Sequence, residues 1–203
     1  MAIRAVAFDI GGVLEKVDDL DGWLRQWVDR LGLEQASIET RLGRIDPRQM
    51  MGTGEMSEAE FRDGCREAFG FSETDVDEFM AAMWDWYCGE LDTELVAFAG
   101  ELRPAYRTGI ISNSADGARR EEQGRYGFEQ LVDDIVYSHE VGLAKPDPRI
   151  YRLACERLGV APEELVFIDD TPRCVDAANA LGIHAVLHHS TPETIRAVTA
   201  LLA

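Results

Sequence analysis

Positive charge is scarce in this chain of 203 residues: Lys and Arg number 20 against 38 Asp and Glu, a formal net charge of −18. Such an acidic surface repels phosphate backbones and anionic lipid headgroups, which argues against nucleic acid and membrane partners. Long apolar runs are missing too. No stretch approaches the roughly 18 apolar residues of a bilayer-spanning helix, and the opening Met1-Ala2-Ile3-Arg4-Ala5-Val6-Ala7-Phe8-Asp9 lacks a signal-peptide plan, so a cytoplasmic protein is expected. Cysteine is sparse. Cys65, Cys88, Cys155 and Cys174 include no C-x-x-C pair, which excludes a zinc knuckle or disulfide framework and leaves buried thiols. Biased tracts and repeats are absent as well, and 46% apolar with 29% charged residues is ordinary globular usage.

What is present is a series of short apolar runs. Ile3, Ala5, Val6, Ala7 and Phe8, ended by Gly11-Gly12, read as a buried parallel strand with Asp9 at its carboxyl end. Similar runs stand at Thr108–Ile111, Asp134–Tyr137, Leu165–Ile168 and Ile183–Leu187. Helical patterns separate the last four; one has Ile150, Leu153, Ala154, Arg157 and Leu158 closed by Gly159. The alternation predicts an α/β fold, a doubly wound, Rossmann-like parallel sheet of about five strands. The gap between the first two strands, about 95 residues, is several times what a crossover helix requires.

An insertion therefore follows the first strand. Leu20, Trp23, Leu24, Trp27, Val28 and Leu31 recur at helical spacing behind Asp18 and Asp19 as caps, with Gly32 as the stop. Ser57-Glu58-Ala59-Glu60 is a capping box that opens a second helix through Phe61, Cys65 and Phe69. Val76, Phe79, Met80, Met83 and Tyr87 mark a third. The division expected is a catalytic core of residues 1–14 and 91–203 with a helical cap over 15–90, returned to the core by a helix from Asp92 to Leu102.

Four constellations fall at strand ends or in nearby loops: Asp9-Ile10-Gly11-Gly12-Val13, Ser112-Asn113-Ser114, Lys145-Pro146-Asp147 and Asp169-Asp170. Ligands of doubly wound sheets bind outside the carboxyl ends of the strands, where such loops converge. Singly, each has a bland reading as a turn or a helix cap. In this order, with a helical insertion after the first, they resemble the four motifs of the haloacid dehalogenase superfamily. The phrases Phe8-Asp9-Ile10-Gly11-Gly12-Val13 and Ser138-His139-Glu140-Val141-Gly142-Leu143-Ala144-Lys145-Pro146-Asp147-Pro148 look most like its phosphatase-type branch with a small helical cap.

The resemblance implies roles residue by residue. Asp9 matches a nucleophile that forms an aspartyl-phosphate. Asp9, Asp170 and the backbone carbonyl of Gly11 match the ligands of a magnesium ion, with Asp169 supporting the metal from outside. Ser112 and the Asn113 backbone match the phosphate-binding motif, and Lys145 the cation that holds nucleophile and phosphoryl oxygens. The implied activity is magnesium-dependent hydrolysis of a small phosphorylated metabolite. A 2-haloacid dehalogenase and a non-catalytic binding or regulatory protein of the same fold are the alternatives, and oligomeric state is left open.

Two positions depart from the phosphatase pattern. Gly11 stands where a second aspartate usually serves as general acid and base, a contribution typically worth ~10²–10⁴-fold. Cys174 stands where Asp or Asn often supports the metal. Elsewhere, Trp84-Asp85-Trp86-Tyr87 reads as packing, Arg41, Arg44 and Arg48 as a solvated helix face, and His188-His189 as surface. The Gly52-Thr53-Gly54 loop is the better candidate for substrate selection, since glycine permits close approach.

Overall fold

All five apolar runs become parallel strands of one sheet. The computed structural model describes residues 2–17, 20–46 and 50–203. In chain order the strands are β1 (Ala5–Phe8), β2 (Glu15–Lys16), β3 (Glu90–Leu91), β4 (Arg107–Ser112), β5 (Asp134–Tyr137), β6 (Leu165–Asp169) and β7 (His184–Leu187). The main sheet has the order β5-β4-β1-β6-β7, while β2 and β3 pair antiparallel as a separate ribbon.

Period-two alternation divides the strand side chains between two cores. Val6, Phe8, Ile110, Ile135, Tyr137, Val166 and Ile168 face one side, where Leu95, Phe128 and Val198 cover them. Those three come from α5 (Thr93–Glu101), α7 (Phe128–Leu131) and α11 (Thr191–Leu202). Ala5, Ala7, Ile111, Val136, Leu165 and Phe167 face the other, against Ile150, Tyr151, Ala154 and Ala178. The covering helices are α9 (Pro148–Leu158) and α10 (Pro172–Asn179), and α6 (Ala118–Tyr126) and α8 (Ser138–Val141) follow β4 and β5. Each fully buried Phe, Leu or Ile in these layers contributes about 1.5–3 kcal/mol.

Between β2 and β3 lie α1 (Leu20–Leu31), α2 (Gln35–Ile45), α3 (Glu58–Phe69) and α4 (Glu73–Cys88), with a short 3₁₀ turn at Met50–Thr53. Trp23, Leu24, Trp27, Ile38, Phe61, Cys65, Val76, Phe79 and Met80 form their own apolar core. Ser57 caps α3 through the expected reciprocal pair with Glu60, and Ser72 caps α4 in the same way with Asp75. The apolar pattern marks no helix over α2, although Arg41 and Arg44 read as a helix face, and so counts one apolar helix too few. Its Gln-Ala-Ser-Ile-Glu-Thr-Arg-Leu-Gly-Arg-Ile run offers a single file of Ile38, Leu42 and Ile45, and Glu34 makes no side-chain cap. Asp18, Asp19 and Arg48, named from the sequence, lie outside the described residues.

The helical insertion docks on the segments that follow β4 and β5, including α6 and α8. Glu58 accepts from Arg120 at 2.9 Å through both carboxylate oxygens and from Trp84 Nε1 at 2.6 Å. Its backbone N–H donates to Asp116 at 2.8 Å, and Ser138 Oγ donates to the Gly52 carbonyl at 2.6 Å.

Candidate functional site

Strand register brings the scattered motifs to one edge. Phe8 pairs with Ile110 of β4 and Ile168 of β6, so Asp9, Ser112-Asn113 and Asp169-Asp170 emerge side by side. Lys145 arrives from the loop before α9, whose position the Asn113 side chain sets. Asn113 Nδ2 donates to the Lys145 carbonyl at 2.9 Å, and the Lys145 N–H donates to Asn113 Oδ1 at 2.7 Å.

Lys145 Nζ lies 2.7 Å from Asp9 Oδ1 and 2.7 Å from Asp169 Oδ2, with the lysine side chain only 2% exposed. Burial works against the ammonium, but the two carboxylates outweigh it and hold its pKa above the ordinary lysine value. Burial, with the Asp169 charge, pushes Asp9 up to about 7 against the pull of Lys145. Asp9 Oδ1 also accepts from the Ile10 N–H at 2.8 Å. Asp169 is fully buried and accepts from the Thr171 N–H at 2.8 Å, so both of its oxygens are engaged. Asp170 is exposed and meets the Thr171 hydroxyl at 3.2 Å.

One oxygen from each of Asp9, Asp169 and Asp170 falls within 4.8 Å of the others, an all-oxygen set that suits a hard divalent cation. Cys174 takes no part in this cluster. It is buried, its thiol pKa is raised by burial, and its carbonyl accepts from the Tyr151 hydroxyl at 3.0 Å. Gly12 has φ 76°, and a Cβ there would stand 2.2 Å from Asp170 Oδ2, so glycine is needed for the close approach.

Among the described residues, cavities lie on both sides of this cluster. A cleft of about 850 Å³ is bordered by Gly12, Lys16, Asp92, Asp170, His188 and His189. The His188-His189 pair, expected as plain surface, therefore borders the Asp170 cleft, because β7 ends beside β6. His188 is half-buried and bonds Thr194 Oγ1 at 2.9 Å. The second cavity, about 160 Å³, is lined by Gly11, Ser112 and Asn113 together with Glu15, Trp86 and Tyr87.

Trp86 and Tyr87 thus depart from the pure packing reading. Trp84 is buried as expected, whereas Trp86 both stacks on Trp23 at 5.7 Å and lines the small cavity. Arg41 donates to the Ala68 carbonyl and lies over the Phe69 ring, while Arg44 is exposed. The close approach allowed by the Gly52–Gly54 loop is to the core backbone, since a Cβ on Gly54 would stand 2.1 Å from the His139 carbonyl. The buried acid Glu122 beside Ser112 has no clear signal in the sequence.

A five-stranded parallel sheet carries an Asp-Lys-Asp chain and a third carboxylate at its carboxyl edge, with a helical insertion after the first strand. The chain belongs to the haloacid dehalogenase-like hydrolases, whose family model matches residues 3–182. It is 29% identical over 187 residues to (S)-2-haloacid dehalogenase 1 of a Pseudomonas strain, covering 91% of this chain and 76% of that one. It is also 29% identical over 205 residues to a phosphatase of Mycobacterium tuberculosis, covering 96% of this chain and 91% of that protein. A haloacid dehalogenase family enzyme of Bacteroides thetaiotaomicron, solved with magnesium and inorganic phosphate, superposes with a TM-score of 0.79 at 25% identity, covering 93% and 95% of the two chains. The protein is accordingly an enzyme of the hydrolase class, with phosphatase and dehalogenase relatives.

Proposed function

We propose that the protein is a magnesium-dependent phosphomonoesterase acting on a small phosphorylated metabolite, with residues 15–90 serving as a cap over a core of 1–14 and 91–203. The observation that carries this reading is the placement of Lys145 between Asp9 and Asp169, beside a third carboxylate. Asp9, Asp170 and the Gly11 carbonyl would hold Mg²⁺, which when bound would offset repulsion between these carboxylates and a phosphate dianion. Asp169 anchors Lys145 and the turn at Thr171, so its support of the site is indirect.

In the first step an Asp9 oxygen forms a bond to phosphorus as the bond to the leaving alcohol oxygen breaks, giving an aspartyl-phosphate and an alkoxide that takes a proton from water. In the second, water attacks phosphorus, releases inorganic phosphate and regenerates the Asp9 carboxylate. Lys145 offsets the charge on the nucleophile and the phosphoryl oxygens, and Ser112 with the Asn113 N–H binds those oxygens. Gly11 supplies no proton, so leaving groups that depart without one are favoured.

The dehalogenase relative supports a second reading, in which Asp9 attacks carbon and no metal is used. A hydrolysis screen over sugar phosphates, nucleotides, acyl phosphates and 2-haloacids, with and without magnesium, separates the two. Magnesium-dependent phosphate release supports the first reading; metal-independent halide release replaces it with the second.

A further inference from the structure

Glu15 and Glu122 are fully buried carboxyl groups that line the 160 Å³ cavity from β2 and α6. Neither oxygen of Glu15 has a hydrogen-bond partner, nor does Oε1 of Glu122. Oε2 of Glu122 accepts from the Tyr137 hydroxyl at 2.5 Å. Three acceptor oxygens are therefore withdrawn from water with no donor, an arrangement that costs free energy unless something in the cavity supplies one.

The cationic side chains whose charge reaches these acids are committed elsewhere. Arg125 pairs with Asp85 at 2.8 Å, and Arg119 pairs with Glu140 and Glu129, each at 2.5 Å. Trp86 and Tyr87 complete the wall, and aromatic rings attract cations. The same cavity touches Ser112 and Asn113, the expected phosphate-binding residues, and Gly11. A Cβ on Gly11 would meet nothing nearer than Val17 Cγ2 at 3.7 Å, so space lies open where a second aspartate would project.

We propose that this cavity receives the leaving group of the substrate and that this group carries a primary ammonium, making the substrate the phosphate monoester of a small amino alcohol. The inference rests on the phosphomonoesterase reading and names its substrate class. A primary ammonium brings N–H donors for the unpartnered oxygens, and its charge favours release of the proton that burial keeps on Glu15. The cavity of about 160 Å³ has room for a short aminoalkyl chain. With the ammonium among the glutamates and the ester oxygen toward Gly11, the phosphoryl group falls beside Ser112 and Asn113.

Calorimetric titration with 2-aminoethylphosphonate and propylphosphonate, which have the same number of heavy atoms, tests this in the presence of magnesium. The expected result is that the amine binds at least about tenfold tighter, and that Glu15→Gln and Glu122→Gln each remove most of this advantage while leaving propylphosphonate affinity unchanged. Equal affinity of the two phosphonates for the natural protein overturns the inference alone and assigns the cavity to bound water. Binding of neither overturns the phosphatase reading and the inference with it. If one variant fails to fold, the natural protein and the other variant decide.

Discussion

The Lys145 ammonium stands 2.7 Å from the Asp9 carboxylate, and both side chains are largely withdrawn from solvent. Because Asp169 sits equally close on the other side, removing the cation would leave two carboxylates facing each other in a poorly solvated space. Lys145→Ala is therefore expected to abolish hydrolysis and to destabilise the fold by about 3–5 kcal/mol, the usual cost of orphaning a buried charge. Urea unfolding monitored by circular dichroism measures the second effect; a loss below about 1 kcal/mol would show that the carboxylates find other compensation.

The two adjacent aspartates after β6 differ in exposure and should differ in role. Asp170 is exposed and belongs to the carboxylate cluster, whereas both Asp169 oxygens already accept hydrogen bonds. Asp170→Ala should weaken magnesium binding far more than Asp169→Ala, which should instead lower thermal stability. Calorimetry and thermal melts on both variants check this, and equal losses of magnesium affinity would reverse the assignment.

Gly11 does not adopt the left-handed backbone that would demand glycine, and a Cβ there has room. Gly11→Asp is thus expected to fold and to raise turnover of alkyl phosphates by up to about 10²-fold by supplying the missing proton donor. In the natural protein, acyl and aryl phosphates should react much faster than unsubstituted alkyl phosphates, whose leaving alkoxide is more basic than one carrying a neighbouring ammonium. A leaving-group series of graded pKa measures both; a flat dependence in the natural protein would mean that another acid already protonates the leaving oxygen.

Much of this site was legible in the sequence because apolar runs end at Asp9, Ser112 and Asp169, and a parallel register then forces those ends together. Lys145 was legible only through motif order, since its partners lie far away in the chain. Helix α2 escaped because its apolar residues form one thin file without a capping side chain. Glu122 escapes for a different reason. An acid inside the polar run of α6 looks like a solvated charge until the helix turns it inward. Helical spacing reads Trp86 as packing because it does not reveal that the residue also lines a cavity.

Burial, with the charge of Glu122 and against the pull of Arg125, pushes the Glu15 carboxyl up to about 9. Its folded-state pKa lies above the unfolded value, so the folded chain retains a proton that the unfolded chain releases. Stability from this group is present below the usual carboxylate pKa and declines as pH rises toward about 9. Glu15→Gln should remove that part of the decline, making the variant relatively more stable at pH 8 than at pH 5. Urea midpoints across this range measure it, and parallel curves for the two proteins would contradict it.

The most direct test of the account is phosphate release from an aryl phosphate by the natural protein and by Asp9→Asn, each with and without magnesium. The amide matches the carboxylate in shape and cannot attack phosphorus, so the expected result is magnesium-dependent turnover in the natural protein and none in a folded Asp9→Asn. Turnover retained by Asp9→Asn, or turnover in the natural protein that ignores magnesium, would contradict it.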